Sequence, residues 1–181
     1  LDYFFCNAGK SIHRKINEAQ DRLHDYDRTM DLNYRSLVAL SLAILPALKA
    51  SKGRIIYSSS VSTLYPKAPG WSAYHASKSA ANTWCETADS EFAPLGVHVQ
   101  IAYLPLVHTA MSDVNEQYKH LPAYTPADAA NILLKLAIRK VRTYKPWWAK
   151  LSAPIAYLFA PIIHLYYKRL PWEERMKLSF L

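Results

Sequence analysis

The chain opens on an apolar run, Tyr3-Phe4-Phe5-Cys6, with the length and composition of a buried strand over residues 2–6. Residues 13–29 are densely charged and predict an exposed segment. From 30 to 50 the pattern turns helical, with an apolar run from Leu37 to Leu45 and Gly53 standing where a helix stop is favoured. Residues 54–59 form a second strand that ends in the serines Ser58-Ser59-Ser60, followed by a Pro/Gly loop from Pro66 to Gly70. An Ala- and Ser-rich helix over 71–93 follows, and Pro94-Leu95-Gly96 turns it into a third strand at 97–103. A loop of about twenty residues comes next, long enough to act as a lid. Thr125-Pro126-Ala127-Asp128 then predicts a helix start, with Thr at the cap, Pro at the first position and Asp three residues after the cap.

Strands alternating with helices predict an α/β domain on a mostly parallel sheet, covered on both faces. The pattern changes after residue 143. Residues 1–143 read as one domain, and 144–181 as an aromatic, basic, proline-punctuated appendage. A strand beginning at the first residue, with no start methionine or leader before it, predicts the middle of a longer protein.

With 51% hydrophobic and 20% charged residues, intrinsic disorder and fibrous repeats are excluded. The two cysteines, Cys6 and Cys85, are too few for a disulfide framework or a multi-cysteine zinc site, so no metal is expected. With no Asn-x-Ser/Thr sequon, the expected location is cytoplasmic, at the cytoplasmic face of a membrane. The four glycines form neither a G-x-G-x-x-G nor a Walker loop, so nothing in these residues holds a pyrophosphate in the usual way. The net charge of +8 is lopsided: residues 1–100 hold 11 Lys or Arg against 9 Asp or Glu, whereas 135–181 hold 10 against 2. The basic end is interleaved with tryptophan and tyrosine and lacks a nucleic-acid motif, which favours a membrane surface as partner and not nucleic acid.

The candidate chemistry centres on Tyr74-His75-Ala76-Ser77-Lys78. Tyr74 and Lys78, four apart, share one helix face. A phenol titrates near ~10, and a neighbouring ammonium stabilises its anion, which makes it a usable acid/base. The plain alternative is an amphipathic helix with a half-buried Tyr and an exposed Lys. Upstream lie Ser60 at a strand's carboxyl end, where α/β sheets build sites, Asn33 at a helix start, and Asn7-Ala8-Gly9 after the first strand. Downstream, Pro105-Leu106-Val107-His108-Thr109 follows the third strand. Each has a bland reading as loop, cap or turn.

In this order and spacing the residues resemble the short-chain dehydrogenase/reductase family over residues 1 to about 140. The resemblance implies a doubly wound Rossmann-like α/β fold, of which the C-terminal two-thirds is present, and NADP or NAD as cofactor, with NADPH favoured. It implies that Tyr74 exchanges the proton at the substrate oxygen, while Lys78 holds the nicotinamide ribose and lowers the Tyr74 pKa. Ser60 would orient the carbonyl, and Asn33 would hold a water linking Lys78 to solvent. Asn7, Ala8 and Gly9 would line the cofactor cleft, and Pro105, Val107 and Thr109 would meet the nicotinamide end. Three positions depart from the family pattern: Cys6 replaces an Asn, Leu106 replaces a Gly, and the serine-to-tyrosine spacing is one residue longer, which leaves Ser59 as a rival to Ser60. The family's glycine-rich first half, about 80 residues, is not in this sequence.

Pro-Leu-Val-x-Thr and the Thr-Pro-Ala-Asp helix start look like the fatty acyl-CoA reductase branch, which implies a hydrophobic, lipid-derived carbonyl or acyl-CoA substrate. Ketoacyl, sterol or retinoid-type reductases are the enzyme alternatives, and a non-catalytic membrane- or partner-binding domain is the alternative of another class. The resemblance also implies a homodimer through the helices following Asn33 and carrying Tyr74, with Ala76, Ala80, Ala81 and Ala88 as a close-packing surface. Finally, residues 151–167 hold no Lys, Arg, Asp or Glu. Three readings stay open for them: an apolar lid on the pocket, a monotopic element in a membrane interface, or a membrane span at the short limit of length.

Overall fold

The computed structural model describes residues 1–113, 118–139 and 141–169. Four parallel strands lie in the order β1 (Tyr3–Cys6), β2 (Arg54–Ser60), β3 (His98–Leu104) and β4 (Thr143–Tyr144). Tyr3 pairs with Arg54, Arg54 with His98, and Ile101 with Thr143. Helices α1 (Leu23–Met30), α2 (Ser36–Ser51), α3 (Ser72–Phe92), α4 (Ala110–Asp113), α5 (Pro126–Ile138), α6 (Trp147–Leu158) and α7 (Ala160–Arg169) complete the architecture.

The pleat divides the core in two. Alternate strand residues Ile55, Tyr57, Val99, Ile101 and Tyr103 meet Leu37 and Leu48 of α2 and Ala81, Cys85 and Phe92 of α3. Their neighbours Ile56, Ala102 and Leu104 meet Leu133, Leu136 and Ala137 of α5. The predicted start of α5 is present as a reciprocal capping box: the Asp128 amide donates to the Thr125 hydroxyl at 3.1 Å, and the Thr125 amide donates to Asp128 at 2.9 Å.

Four expectations need correction. Residues 13–29 are not all exposed, because α1 buries Asp25 and Thr29. Its inward stripe continues through Asn33, Leu37 and Ser41, one residue in every four and mostly polar, so it carries no apolar period. A stripe at that spacing drifts around a regular helix. A π turn over Asp31–Arg35, in which the Ser36 amide reaches back five residues to the Asp31 carbonyl, takes back part of the drift. Second, the left-handed residue ending α2 is Lys52 (φ 55°), not Gly53. Gly53 is required by crowding, since a Cβ there would collide with the Leu1 carbonyl and stand 2.9 Å from that of Asp2. Third, β1 is not buried as a whole, since Tyr3 and Phe5 are exposed at the sheet's edge. The sheet also gains β4, two residues with no period to read, which buried Gln100 secures by donating to the carbonyls of Leu136, Arg139 and Val141 at 2.9, 3.2 and 2.6 Å. Fourth, the alanines of α3 do not share a surface: Ala81 and Ala88 face the sheet while Ala76 is exposed.

α6 packs back on the segment after β2. The hydroxyls of Tyr65 and Ser152 share a hydrogen bond of 2.6 Å, and the Tyr157 hydroxyl donates to the Tyr65 carbonyl at 3.5 Å. Trp172, counted among the aromatic residues of the tail, lies outside the described residues.

Candidate active site

The carboxyl end of β2 places three serines in three environments. Ser58 offers its backbone carbonyl to the Lys78 ammonium at 2.8 Å. Ser59 turns into the core and donates to the Asn82 amide oxygen at 2.6 Å. Ser60 bonds the Ser62 hydroxyl at 2.9 Å and lies within hydrogen-bonding reach of the Tyr74 phenol. Strand alternation separates Ser59 from its neighbours, and of the two rival serines Ser60 is the one beside Tyr74.

Lys78 is 5% exposed, and burial pulls its pKa down to about 8, with the Cys6 and Cys85 thiols pulling the other way. Its ammonium lies 4.8 Å above the centre of the Tyr57 ring. Burial pushes the Tyr74 phenol above its ordinary value, and the Ser60 hydroxyl pulls it back. The expectation that Lys78 lowers the Tyr74 pKa therefore needs correction. The Lys78 charge is turned to the Ser58 carbonyl, and the loss of water around the phenol outweighs it.

Asn33 acts as a clasp. Its side chain accepts from the Lys10 amide at 2.7 Å and donates to the Lys10 carbonyl at 2.8 Å and to the Ser77 hydroxyl at 2.9 Å. Ser77 in turn donates to the Tyr74 carbonyl at 2.9 Å. The loop Asn7-Ala8-Gly9 is thereby tied to α3. Gly9 backs onto the centre, since a Cβ on it would stand 3.5 Å from both Asn33 Oδ1 and Lys78 Nζ.

After β3, Val107 bridges to Tyr124, and Pro105 is half-buried beside it. The Thr109 amide donates to the Ser112 hydroxyl at 2.8 Å, closing the first turn of α4. These residues flank the same strand ends, whereas Asn33, Ser60, Tyr74 and Lys78 form the packed centre.

An aromatic roof was not legible in the sequence. Trp71 stacks on Tyr118 with ring centres 6.0 Å apart, meets Tyr74 edge-on at 6.3 Å and touches the His13 ring at 4.5 Å. The signal was weak because Trp71 and Tyr118 lie far apart in sequence and neither belongs to a motif. His75 is buried next to Tyr74, and burial together with Lys67 pulls it down to about 4, so it is neutral at physiological pH.

The fit to a nicotinamide cofactor can be judged from Lys78 and Gly9. A lysine ammonium has three donors, of which Ser58 takes one, and the side-chain-free face of Gly9 leaves room for a ligand next to the others. A ribose hydroxyl pair suits that arrangement.

The family model for short chain dehydrogenases matches residues 1–119. A fatty acyl-CoA reductase of Acinetobacter baylyi is 35% identical over 165 residues, which cover 91% of this chain and 55% of the relative. A fatty acyl-CoA reductase of Mycobacterium tuberculosis is 36% identical over 138 residues, 76% of this chain and 47% of the relative. This chain thus spans about half the length of the curated relatives it matches. Among solved structures, a short chain dehydrogenase from Burkholderia cenocepacia in complex with NADP superposes with a TM-score of 0.78 at 25% identity, covering 94% of this chain and 70% of that one.

Proposed function

Because the chain belongs to the short-chain dehydrogenase/reductase family, we propose that it carries the proton-handling part of an NADP-dependent reductase acting on a long-chain acyl carbonyl. The observation that supports this most is the Ser60–Tyr74 pair set beside a buried Lys78 at the carboxyl end of β2. The names of the two fatty acyl-CoA reductase relatives support the substrate class. So does the open groove of about 280 Å³ between α6 and residues 63 and 64, where Leu64, Ala149, Ala153 and Tyr157 give an apolar wall with Lys145 and Lys150 at its edge.

When bound, the nicotinamide supplies a hydride to the carbonyl carbon. The chain's own residues act at the oxygen. Ser60 donates a hydrogen bond to it, and Tyr74 gives it the phenolic proton as negative charge develops there. Burial raises the phenol's pKa and keeps it protonated until that moment. The Lys78 ammonium, anchored on the Ser58 carbonyl, would hold the ribose hydroxyls. Asn33 positions the cofactor-side loop against α3, and Trp71 with Tyr118 keeps water from the phenol. For a thioester, one hydride and one proton yield an aldehyde and a free thiol.

The test is an assay of the full-length protein with NADPH and a long-chain acyl-CoA. NADPH consumption with matching release of free CoA thiol is expected. Consumption with a ketoacyl, sterol or retinoid carbonyl, and none with acyl-CoA, would move the enzyme to that class. No consumption with any carbonyl would overturn the reductase reading.

A further inference from the structure

We infer that α6 and α7 form a monotopic dock that seats this protein on an anionic lipid bilayer. Along α6, Trp147, Leu151, Ile155 and Leu158 recur at intervals of four, four and three, which places them on one face of the helix. They are 76, 65, 56 and 77% exposed. The stripe continues past the bend through Phe159, Ile162 and Leu165, all exposed. A continuous apolar face of this extent is not left in water without a partner.

The opposite face of α6 is fixed to the body of the protein. Ala149 and Ala153 are buried, and Ser152 is bonded to Tyr65. The stripe therefore points away from the domain on a helix that the domain holds still.

Geometry and charge select the partner. Among the described residues no single helix is long and apolar enough to cross a membrane, and α6 meets α7 at 74°. The two helices are long and apolar enough for a span only when taken together. With an arm of 12 residues extending about 18 Å, against a hydrocarbon core of about 30 Å, the sharp bend between them favours a seat in one leaflet. Between Asp128 and Glu173 the sequence holds eight Lys or Arg and no Asp or Glu. Lys145 and Lys150 stand at one end of the pair, and Lys168 and Arg169 at the other. A second copy would set one basic segment against another across a two-fold axis, whereas anionic headgroups bring the complementary sign. Tryptophans 147 and 148 at the start of α6 suit the headgroup boundary.

Tyr65, which holds α6, follows Ser60 by five residues, so docking brings the candidate site to the lipid surface. The dock itself rests on surface features and stands independently of the reductase reading.

The experiment uses the full-length protein and phosphatidylcholine vesicles with or without phosphatidylglycerol. Flotation with the phosphatidylglycerol vesicles is expected, weakened but not abolished by high salt. The double variant Leu158→Glu/Ile162→Glu changes two exposed side chains and is expected to lower the partition at least tenfold, with an unchanged circular dichroism spectrum. If that variant misfolds, quenching of wild-type tryptophan emission by brominated lipid decides: quenching supports the dock, and its absence overturns it. Wild-type protein left unbound with anionic vesicles at low salt overturns the inference. So does a lipid-free wild-type dimer that the double variant dissolves, which would make the stripe a self-interface. Both proteins are expected to reduce a water-soluble aldehyde at the same rate, which separates a failure of docking from a failure of the site's chemistry.

Discussion

Tyr74 and Lys78 answer to the same force with opposite consequences. Loss of water keeps the phenol protonated and makes the ammonium a stronger acid, so the pair is poised by burial before any ligand arrives. In the full-length enzyme, Tyr74→Phe is expected to lower kcat by about 10³, the scale of a lost general acid, while calorimetric titration with NADPH gives an unchanged affinity because the ring remains. Lys78 also carries a cost in stability. Its folded pKa of about 8 lies below its unfolded value of 10.5, so folding expels the proton between these limits, and stability rises as pH climbs from 8 to 10.5. Below pH 8 the whole cost of burying the charge is present. Lys78→Met is therefore expected to inactivate the enzyme yet stabilise the fold at pH 7 by up to ~3 kcal/mol, and to flatten the rise in urea midpoint above pH 8. A variant that loses stability at pH 7 would contradict this account.

Among the elements, β3 joins the candidate site at one end to a structural lock at the other. Gln100 donates to three carbonyls where α5 hands the chain to β4, of which that of Arg139 also accepts from the Val141 amide at 2.6 Å. Gln100→Leu removes the side-chain donor from the Leu136 and Val141 carbonyls and is expected to cost about 2 kcal/mol by urea denaturation. Turnover at 25 °C should be intact, since the strand end bearing the site residues is untouched. Elements with apolar periods or cap chemistry were legible in the sequence: β1 to β3, α3, and the capping box of α5. Tyr74 and Lys78 were legible from their helical spacing, whereas Asn33 and Ser60 joined them only through the resemblance of their order to a family pattern. α1 was not, because its inward face is Asp25 and Thr29, held by polar bonds such as those from Arg14 and Arg22 to Asp25, both 3.1 Å. Nor was the Trp71–Tyr118 roof, whose contact is purely tertiary.

For the whole molecule, the sheet presents an edge. Among the described residues β1 is bonded on one side only, to β2, and its outward face shows Leu1, Tyr3 and Phe5. Unpaired backbone beside apolar side chains is a template for a further strand. Residues 1–181 produced alone are expected to self-associate, with light scattering that rises with concentration. Tyr3→Lys, which places a charge on that face, should suppress it. Equal scattering by both proteins would show that the edge is not the contact.

The parallel register also bears on how the chain reaches this state. Tyr3 waits for Arg54, Arg54 for His98, and Ile101 for Thr143, so each pairing must close a loop of more than forty residues. No hairpin can form early to seed the sheet, and the entropy of long closures falls before any ladder bond repays it. During synthesis β1 leaves the ribosome some fifty residues ahead of β2, and its Tyr3 and Phe5 rings wait that long for this partner. The helices spanning the gap, α1 and α2 with their polar inward stripe, are then the local structure available to hold this stretch of the nascent chain together.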